Sequence, residues 1–207
     1  MDFVRPVEAL VPGAQGRVLA VLAETTAELN LRTIAELAGV SPSQASRVLP
    51  ELVALGVVER REVPPSSLFR LVREHVASRA LLCLAHSAET VAVEMGQLAA
   101  ALPRAPLSVI LFGSFARREA GQDSDIDVVV VRPDGVDEDD EGWAASLESW
   151  RGSVRQLTGN RIEVLEVGAE EAAARFAGRS PLWEEIRRDA RVVHGLDIDE
   201  LQTVLHA

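Results

Sequence analysis

LFGSFARREAGQDSDIDVVVV, residues 111–131, is the stretch that decides how this chain reads. It opens on the end of one apolar strand, LSVILF at 107–112, and closes on a second, DVVVV at 127–131, whose nearly unbroken apolar run suits burial on both faces. Asp125 and Asp127 flank Ile126 at the entrance to the second strand, and side chains two apart in a strand point to one face. Carboxylates spaced in this way can hold a divalent cation between them. Gly113 and Ser114 end the first strand, where glycine permits close approach to the backbone. The serine hydroxyl and the first amides of the following turn can donate to a phosphate.

Downstream, RIEVLEV at 161–167 is a third strand that carries two further acids, Glu163 and Glu166. Their separation of three puts them on opposite faces, so only one can join the aspartate pair. An amphipathic helix is expected from Gly142 to Thr158, closed by Gly159. Glu170–Phe176 and Pro181–Arg188 are expected to be helical, the second started by a Ser180–Pro181 cap, and RVVHG is a short final strand. The acidic run DGVDEDDEG has no apolar anchor and reads as a solvated loop or helix start. Strands alternating with helices make this region a small α/β or α+β domain.

A strand ending in Gly-Ser, a short helix containing Ala-Arg, and Ser-Asp-hydrophobic-Asp before an apolar strand are met here by Gly113, Ser114, Ala116, Arg117, Ser124, Asp125, Ile126 and Asp127. This pattern resembles the nucleotidyltransferase superfamily that includes DNA polymerase beta, aminoglycoside nucleotidyltransferases and the minimal nucleotidyltransferases of prokaryotes. The resemblance spans residues 105–195 and implies transfer of a nucleoside monophosphate from an NTP to an acceptor, with pyrophosphate leaving. It also implies that Asp125 and Asp127 hold one or two Mg²⁺ ions and that a third-strand carboxylate completes the metal shell and takes the acceptor proton. Glu163 is favoured for that role because it follows the TGNR turn where the family strand begins, although a glutamate stands where the family usually has aspartate. Gly113, Ser114 and Ser124 would lie about the nucleotide, and Arg117 or Arg118 would approach the triphosphate.

Toward the N-terminus, residues 14–28 read as a helix, 29–32 as a short extended piece, and Thr33 with Glu36 as a capping box that starts a short helix to Ala38. Ser41 as cap, Pro42 in the first position and Gln44 in the third start a second helix that runs to Leu55 and stops at Gly56. VVERREV and LFRLV follow as hairpin strands. Residues 14–72 resemble the winged helix-turn-helix domains of bacterial regulators. On that resemblance Ser43, Gln44, Ser46 and Arg47 face DNA bases, and Arg60, Arg61 and Arg70 meet phosphates. Pro50 interrupts the pattern, since it removes a backbone donor inside the recognition helix at a cost of about 3 kcal/mol, and a kink is expected over Ser46–Pro50.

Residues 74–102 carry a helical pattern with no breaker before Pro103 and more apolar positions than one stripe needs, so a single connector helix is expected. The expected organisation is therefore a winged helix at 1–73, a connector at 74–103 and a nucleotidyltransferase-like domain at 104–207, α+β overall.

The chain has 207 residues, 47% of them hydrophobic, with 21 basic residues, all arginine, against 32 acidic, and a net charge of -11. Residues 1–75 hold eight arginines against nine acids, and the remainder thirteen against twenty-three, so the acidity belongs to the second part. Such a chain repels nucleic acid in bulk, and DNA binding requires a locally basic face. Cys83 is the single cysteine, which excludes an intrachain disulfide and a cysteine-cluster metal site, and it reads as a buried small hydrophobe. His75, His86, His194 and His206 have no zinc-site spacing, and His86 is expected to be packed or interfacial. With no basic segment ahead of an apolar run at the start and no long uncharged apolar window, the chain is expected in the cytoplasm with no membrane contact.

The function expected from these features is Mg²⁺-dependent nucleotidyl transfer from an NTP, with the winged helix binding double-stranded DNA and the chain forming a homodimer. The alternative is a DNA-binding transcriptional regulator or antitoxin-like partner protein whose second domain senses nucleotide or is inactive; for the winged helix itself, the alternative to DNA binding is a protein–protein or dimerisation module.

Overall fold

The structure, a computed structural model, describes residues 1–203. It parts the chain into two compact units, Arg5–Ser87 and a second formed by Met1–Val4 with the chain from Ala88 onward. The fold is α+β, a winged helix-turn-helix followed by a mixed sheet flanked by helices.

In the first unit, α1 (Pro6–Leu10) and α2 (Ala14–Ala23) precede β1 (Leu29–Asn30), α3 (Leu31–Leu37) and α4 (Pro42–Ala54). α2 ends five residues before the expected limit. α3 starts two residues before Thr33, because the Asn30 side chain takes the Thr33 amide at 3.0 Å and is the cap in place of Thr33. At α4 the expected capping box is present: Ser41 Oγ accepts from the Gln44 amide at 3.2 Å and Gln44 Oε1 from the Ser41 amide at 2.9 Å. α4 runs through Pro50 without interruption. β2 (Val58–Val63) and β3 (Ser66–Leu71) form the hairpin, and β3 also pairs with β1. Val18, Leu22, Ile34, Ala45, Leu49, Leu52 and Phe69 lie in the core of this unit.

The expected single connector is two helices, α5 (Val76–Ala85) and α6 (Ser87–Ala100), broken at His86. The excess of apolar residues explains the break, since Leu81, Leu82 and Leu84 pack on the first core while Val91, Met95 and Ala99 belong to the second. One straight helix would have to present both sets on compatible faces, and neither glycine nor proline announces that it does not.

The second unit adds β4 (Ser108–Phe112), α7 (Gly113–Ala116), β5 (Ile126–Val131), α8 (Glu141–Thr158), β6 (Ile162–Val167), α9 (Ala169–Ala177), α10 (Pro181–Asp189), β7 (Arg191–Gly195) and α11 (Ile198–Thr203). The sheet order is β6-β5-β4-β7, with β5 and β6 parallel and the other pairs antiparallel. Period-two alternation sends Val109, Leu111, Val128 and Val130 into one core with Trp143 and Trp150, and Ile110, Val129 and Val131 into another with Phe176 and Trp183. Both faces of the central strands are therefore covered, as their continuous apolar sequence requires. A Cβ on Gly96 of α6 would fall 2.0 Å from the Val193 carbonyl oxygen, so glycine there sets how closely α6 approaches β7.

Among the described residues no single helix is long and apolar enough to cross a membrane.

Candidate functional site

The turn from β4 into α7 and the start of β5 meet through Gly113 and Asp127. Gly113 has φ +68°, and a Cβ there would lie 2.5 Å from Asp127 Oδ2. The left-handed backbone and the carboxylate alongside it both require glycine. Phe112 is the register partner of Asp127 across β4 and β5. Ser114 is half-buried, and no described residue takes its hydroxyl.

Asp127 and Glu163 are register partners on the parallel strands β5 and β6, which sets the two carboxylates side by side on one sheet face. Burial pushes the Asp127 carboxyl above its ordinary value, the charges of Asp125 and Glu163 push it further, and Arg117 opposes them. The residues thus form a locally negative cluster, partly desolvated at Asp127, which is the chemistry a divalent cation offsets. Glu163 Oε1 lies 3.9 Å from Arg161 Nη2, and among the described residues no three His, Cys, Asp or Glu side chains are arranged to hold a metal ion. A cation here would rest first on Asp125 and Asp127.

Glu166 serves the opposite face. Its carboxylate accepts from Trp143 Nε1 at 2.8 Å and from Arg132 at 3.0 Å, tying β6 to the start of α8. Beside Glu163, Arg151, Arg155 and Arg161 line a hollow of about 220 Å³.

Arg117 pairs with Glu119 at 2.8 Å and with Asp189 at the end of α10. Hydrogen bonds to both carboxylates raise its guanidinium pKa further, and Arg117 in turn holds Asp189 below the usual carboxylate range. Arg118 has φ +62° and pairs with Glu89 at 2.7 Å. Ser124 Oγ accepts from the Gly121 amide at 3.0 Å, so this serine closes the turn ahead of Asp125.

A buried residue that the motif does not contain also shapes this loop. Asn160 Nδ2 donates to the Ser124 carbonyl at 2.9 Å, and its Oδ1 accepts from the Met1 amino group at 2.7 Å. Its side chain holds the loop before Asp125 against the turn before β6. The TGNR stretch signals a turn, but these long-range partners have no local sequence signature.

On the winged helix, Ser43, Gln44, Ser46 and Arg47 are all exposed. Gln44 is committed to the capping box, Ser46 Oγ donates to the Ser43 carbonyl at 3.1 Å, and Arg47 has no ion pair among the described residues. The hairpin arginines do not form an open basic strip. Arg60 pairs with Glu62 at 3.2 Å, Arg61 with Glu28, and Arg70 with Glu59 at 2.7 Å.

Cys83 is exposed, not buried, because α5 turns Leu82 and Leu84 to the core. His86 is exposed at the helix break, with Nδ1 2.7 Å from the Leu82 carbonyl oxygen. His75 caps α5 by accepting from the Ala77 amide, His194 lies in β7, and His206 falls outside the described residues.

Residues 97–191 match the nucleotidyltransferase domain family, and residues 16–62 match the IclR helix-turn-helix domain family. The chain therefore joins a helix-turn-helix domain to a nucleotidyltransferase domain, and the two matches fall on the two structural units. Three solved structures illustrate the similarity. A MarR family transcriptional regulator from Silicibacter pomeroyi is 30% identical, with 39% of this chain and 54% of that one covered and a TM-score of 0.31. RV1404 from Mycobacterium tuberculosis is 23% identical over 41% of this chain and 60% of its own, with a TM-score of 0.31. A toxin-antitoxin structure with AMP-PNP is 14% identical over 57% of this chain and 82% of its own, with a TM-score of 0.36. The chain spans little more than half the length of the first two. No curated protein matches it.

Proposed function

We propose that the second domain is a nucleotidyltransferase that moves a nucleoside monophosphate from an NTP to an acceptor hydroxyl with Mg²⁺ as cofactor. The observation that carries this reading is the pairing of Asp127 with Glu163 across adjacent parallel strands, beside a Gly113–Ser114 turn closed against Asp127. Asp125 and Asp127 would hold the cation, which supplies charge stabilisation on the triphosphate. The Ser114 hydroxyl and the turn it opens would donate to phosphate oxygens. The acceptor oxygen forms a bond to the α-phosphorus, the bond to pyrophosphate breaks, and Glu163 takes the acceptor proton. An acceptor approaching Glu163 passes the arginine-lined hollow formed by Arg151, Arg155 and Arg161.

Exposure of Arg47 and the recognition-helix serines supports DNA as a partner of the first domain, while the paired hairpin arginines support a weak, salt-sensitive contact. Homodimerisation follows from the need of small recognition domains for two half-sites.

Calorimetric titration of each of the four NTPs with Mg²⁺ tests the enzyme reading. Magnesium-dependent binding by wild type, abolished in Asp125→Asn with Asp127→Asn, is the expected result; Glu163→Gln should then retain binding and lose transfer. Absence of binding for every NTP overturns the reading in favour of a regulator built on an inactive nucleotidyltransferase core.

A further inference from the structure

Gly152 sits in the interior of α8, where neither backbone nor packing asks for glycine. A Cβ there would meet nothing within 4 Å, and glycine inside a helix is less stable than alanine. What the missing side chain leaves is space, since Gly152 lines the hollow of about 220 Å³ that reaches Glu163. The same hollow is lined by Arg151 and Arg155, one helical turn apart on α8, and by Arg161 just ahead of β6. Residues 76–207 carry twenty-three acids against thirteen arginines, so three arginines against Glu148 and Glu163 make a local positive centre in an acidic domain. Little holds these guanidinium groups. Arg155 has no ion pair among the described residues. Arg161 lies 3.9 Å from Glu163, with side chains 75% and 54% exposed, and Arg151 lies 3.7 Å from Glu148. Ion pairs this long and this open to solvent yield readily to a better anion. Arg151 Nη2 also donates to the Ile162 carbonyl at 3.4 Å, which keeps that side chain beside β6.

We propose that this hollow holds the phosphate of the acceptor, and that the acceptor is a small hydroxyl compound bearing a phosphomonoester, with its hydroxyl presented to Glu163. The inference rests on the nucleotidyl transfer proposed above and supplies its substrate class. The acceptor hydroxyl oxygen bonds to the α-phosphorus, the bond to pyrophosphate breaks, the hydroxyl proton passes to Glu163, and the acceptor's own phosphate keeps all its bonds. A phosphomonoester carries a charge of about −1.5 to −2 at neutral pH on three terminal oxygens, which several arginine forks match better than the single charge of a carboxylate. A nucleic-acid backbone fits less well. It spreads its charges along an extended path, and from this hollow that path runs onto Glu148, Glu163 and an acidic domain.

The full-length chain is titrated calorimetrically with ribose 5-phosphate, and with ribose as the uncharged control, in the absence of nucleotide and metal. Saturable binding of the ester and none of ribose is expected. Arg155→Gln and Arg161→Gln should each weaken it about tenfold, the loss of one charge-assisted contact. Gly152→Leu keeps every arginine and fills the hollow, so it should abolish binding with a thermal midpoint no lower than that of wild type. Asp125→Asn with Asp127→Asn should lose NTP and retain the ester, and wild type saturated with magnesium and a non-hydrolysable NTP analogue should still bind it. No saturation by ribose 5-phosphate up to about 5 mM, or equal binding by Gly152→Leu, overturns the proposal whether or not NTP binds. Displacement of the ester by the NTP analogue overturns it by giving the arginines to the triphosphate, and tighter binding of a decathymidylate with hydroxyl ends overturns it in favour of nucleic acid. Failure of every NTP to bind, with the ester bound as expected, instead removes the enzyme reading and with it the acceptor role. If Gly152→Leu fails to fold, the exposed Arg155→Gln decides alone.

Discussion

Asp127 Oδ2 occupies space that a Cβ on Gly113 would need, 2.5 Å away, and Gly113 has φ +68°. Gly113→Ala is therefore penalised twice, by about 1–2 kcal/mol for the left-handed backbone and by displacement of the carboxylate. A lower unfolding midpoint is expected, together with weaker magnesium-dependent NTP binding by calorimetry. A variant that binds NTP as wild type does would mean that Asp127 need not sit against the turn.

The charges crowded on Asp127 predict an opposite effect on stability. Its carboxylate is partly desolvated and faces Asp125 and Glu163. Asp127→Asn removes the repulsion and should raise the thermal midpoint by a few degrees in metal-free buffer, on the order of 1 kcal/mol after allowance for solvent screening. Magnesium should stabilise wild type and leave the variant unmoved.

The two glutamates of β6 should differ sharply in what they contribute to stability. Glu166 accepts from Trp143 Nε1 and Arg132, and the Arg132 Nε is itself buried with no hydrogen-bond partner among the described residues. Glu166→Ala strands a buried indole donor and a guanidinium and should cost about 1–3 kcal/mol in a urea melt. Glu163→Gln, on an exposed side chain, should leave the melt within about 0.5 kcal/mol of wild type.

The opposite roles of Glu163 and Glu166 follow from period two along a strand, which is visible in a sequence, and the parallel register then gives Glu163 to Asp127. The α4 capping box was equally legible because its partners lie three residues apart. Thr33 failed as a cap because Asn30 offers the same three-residue reach from a position where the backbone is still extended. The break at His86 has no glycine or proline to announce it and arises because two helices serve two cores. Asn160 contacts residues 36 and 159 positions away, distances at which sequence pattern carries no register. Arg70 and Glu59 are register partners across the hairpin, whereas Arg61 and Glu28 are 33 positions apart.

Those arginine pairs bear directly on the DNA contact proposed for the first domain. Glu28 is held below its ordinary pKa by its hydrogen bond with Arg61, and Glu59 takes up Arg70, so both cations are compensated. Glu28→Gln with Glu59→Gln releases them. Fluorescence anisotropy with a duplex should show tighter binding at low salt and a slope of log K against log salt steeper by about 2, from roughly 0.9 per phosphate contact. An unchanged slope would show that the hairpin does not touch the phosphate backbone.

Arg117 and Asp189 join the motif helix α7 to the end of α10, and the Asp189 side chain is only 5% exposed. The hydrogen bond from Arg117, aided by Arg188, keeps the Asp189 carboxyl below the usual range against the opposing effect of burial. Because the folded state binds this proton less readily than the unfolded chain, the contribution to stability is complete above the ordinary aspartate pKa near 4 and is lost as pH falls through the lower native value. Asp189→Asn should therefore lower the midpoint at neutral pH and flatten the acid limb of a stability profile below about pH 4. The same substitution removes one of the two carboxylates that pair with Arg117. If Arg117 contacts the nucleotide, Asp189→Asn should tighten magnesium-dependent NTP binding and Arg117→Gln should weaken it. Equal affinities in both variants would confine Arg117 to the role of tying α7 to α10.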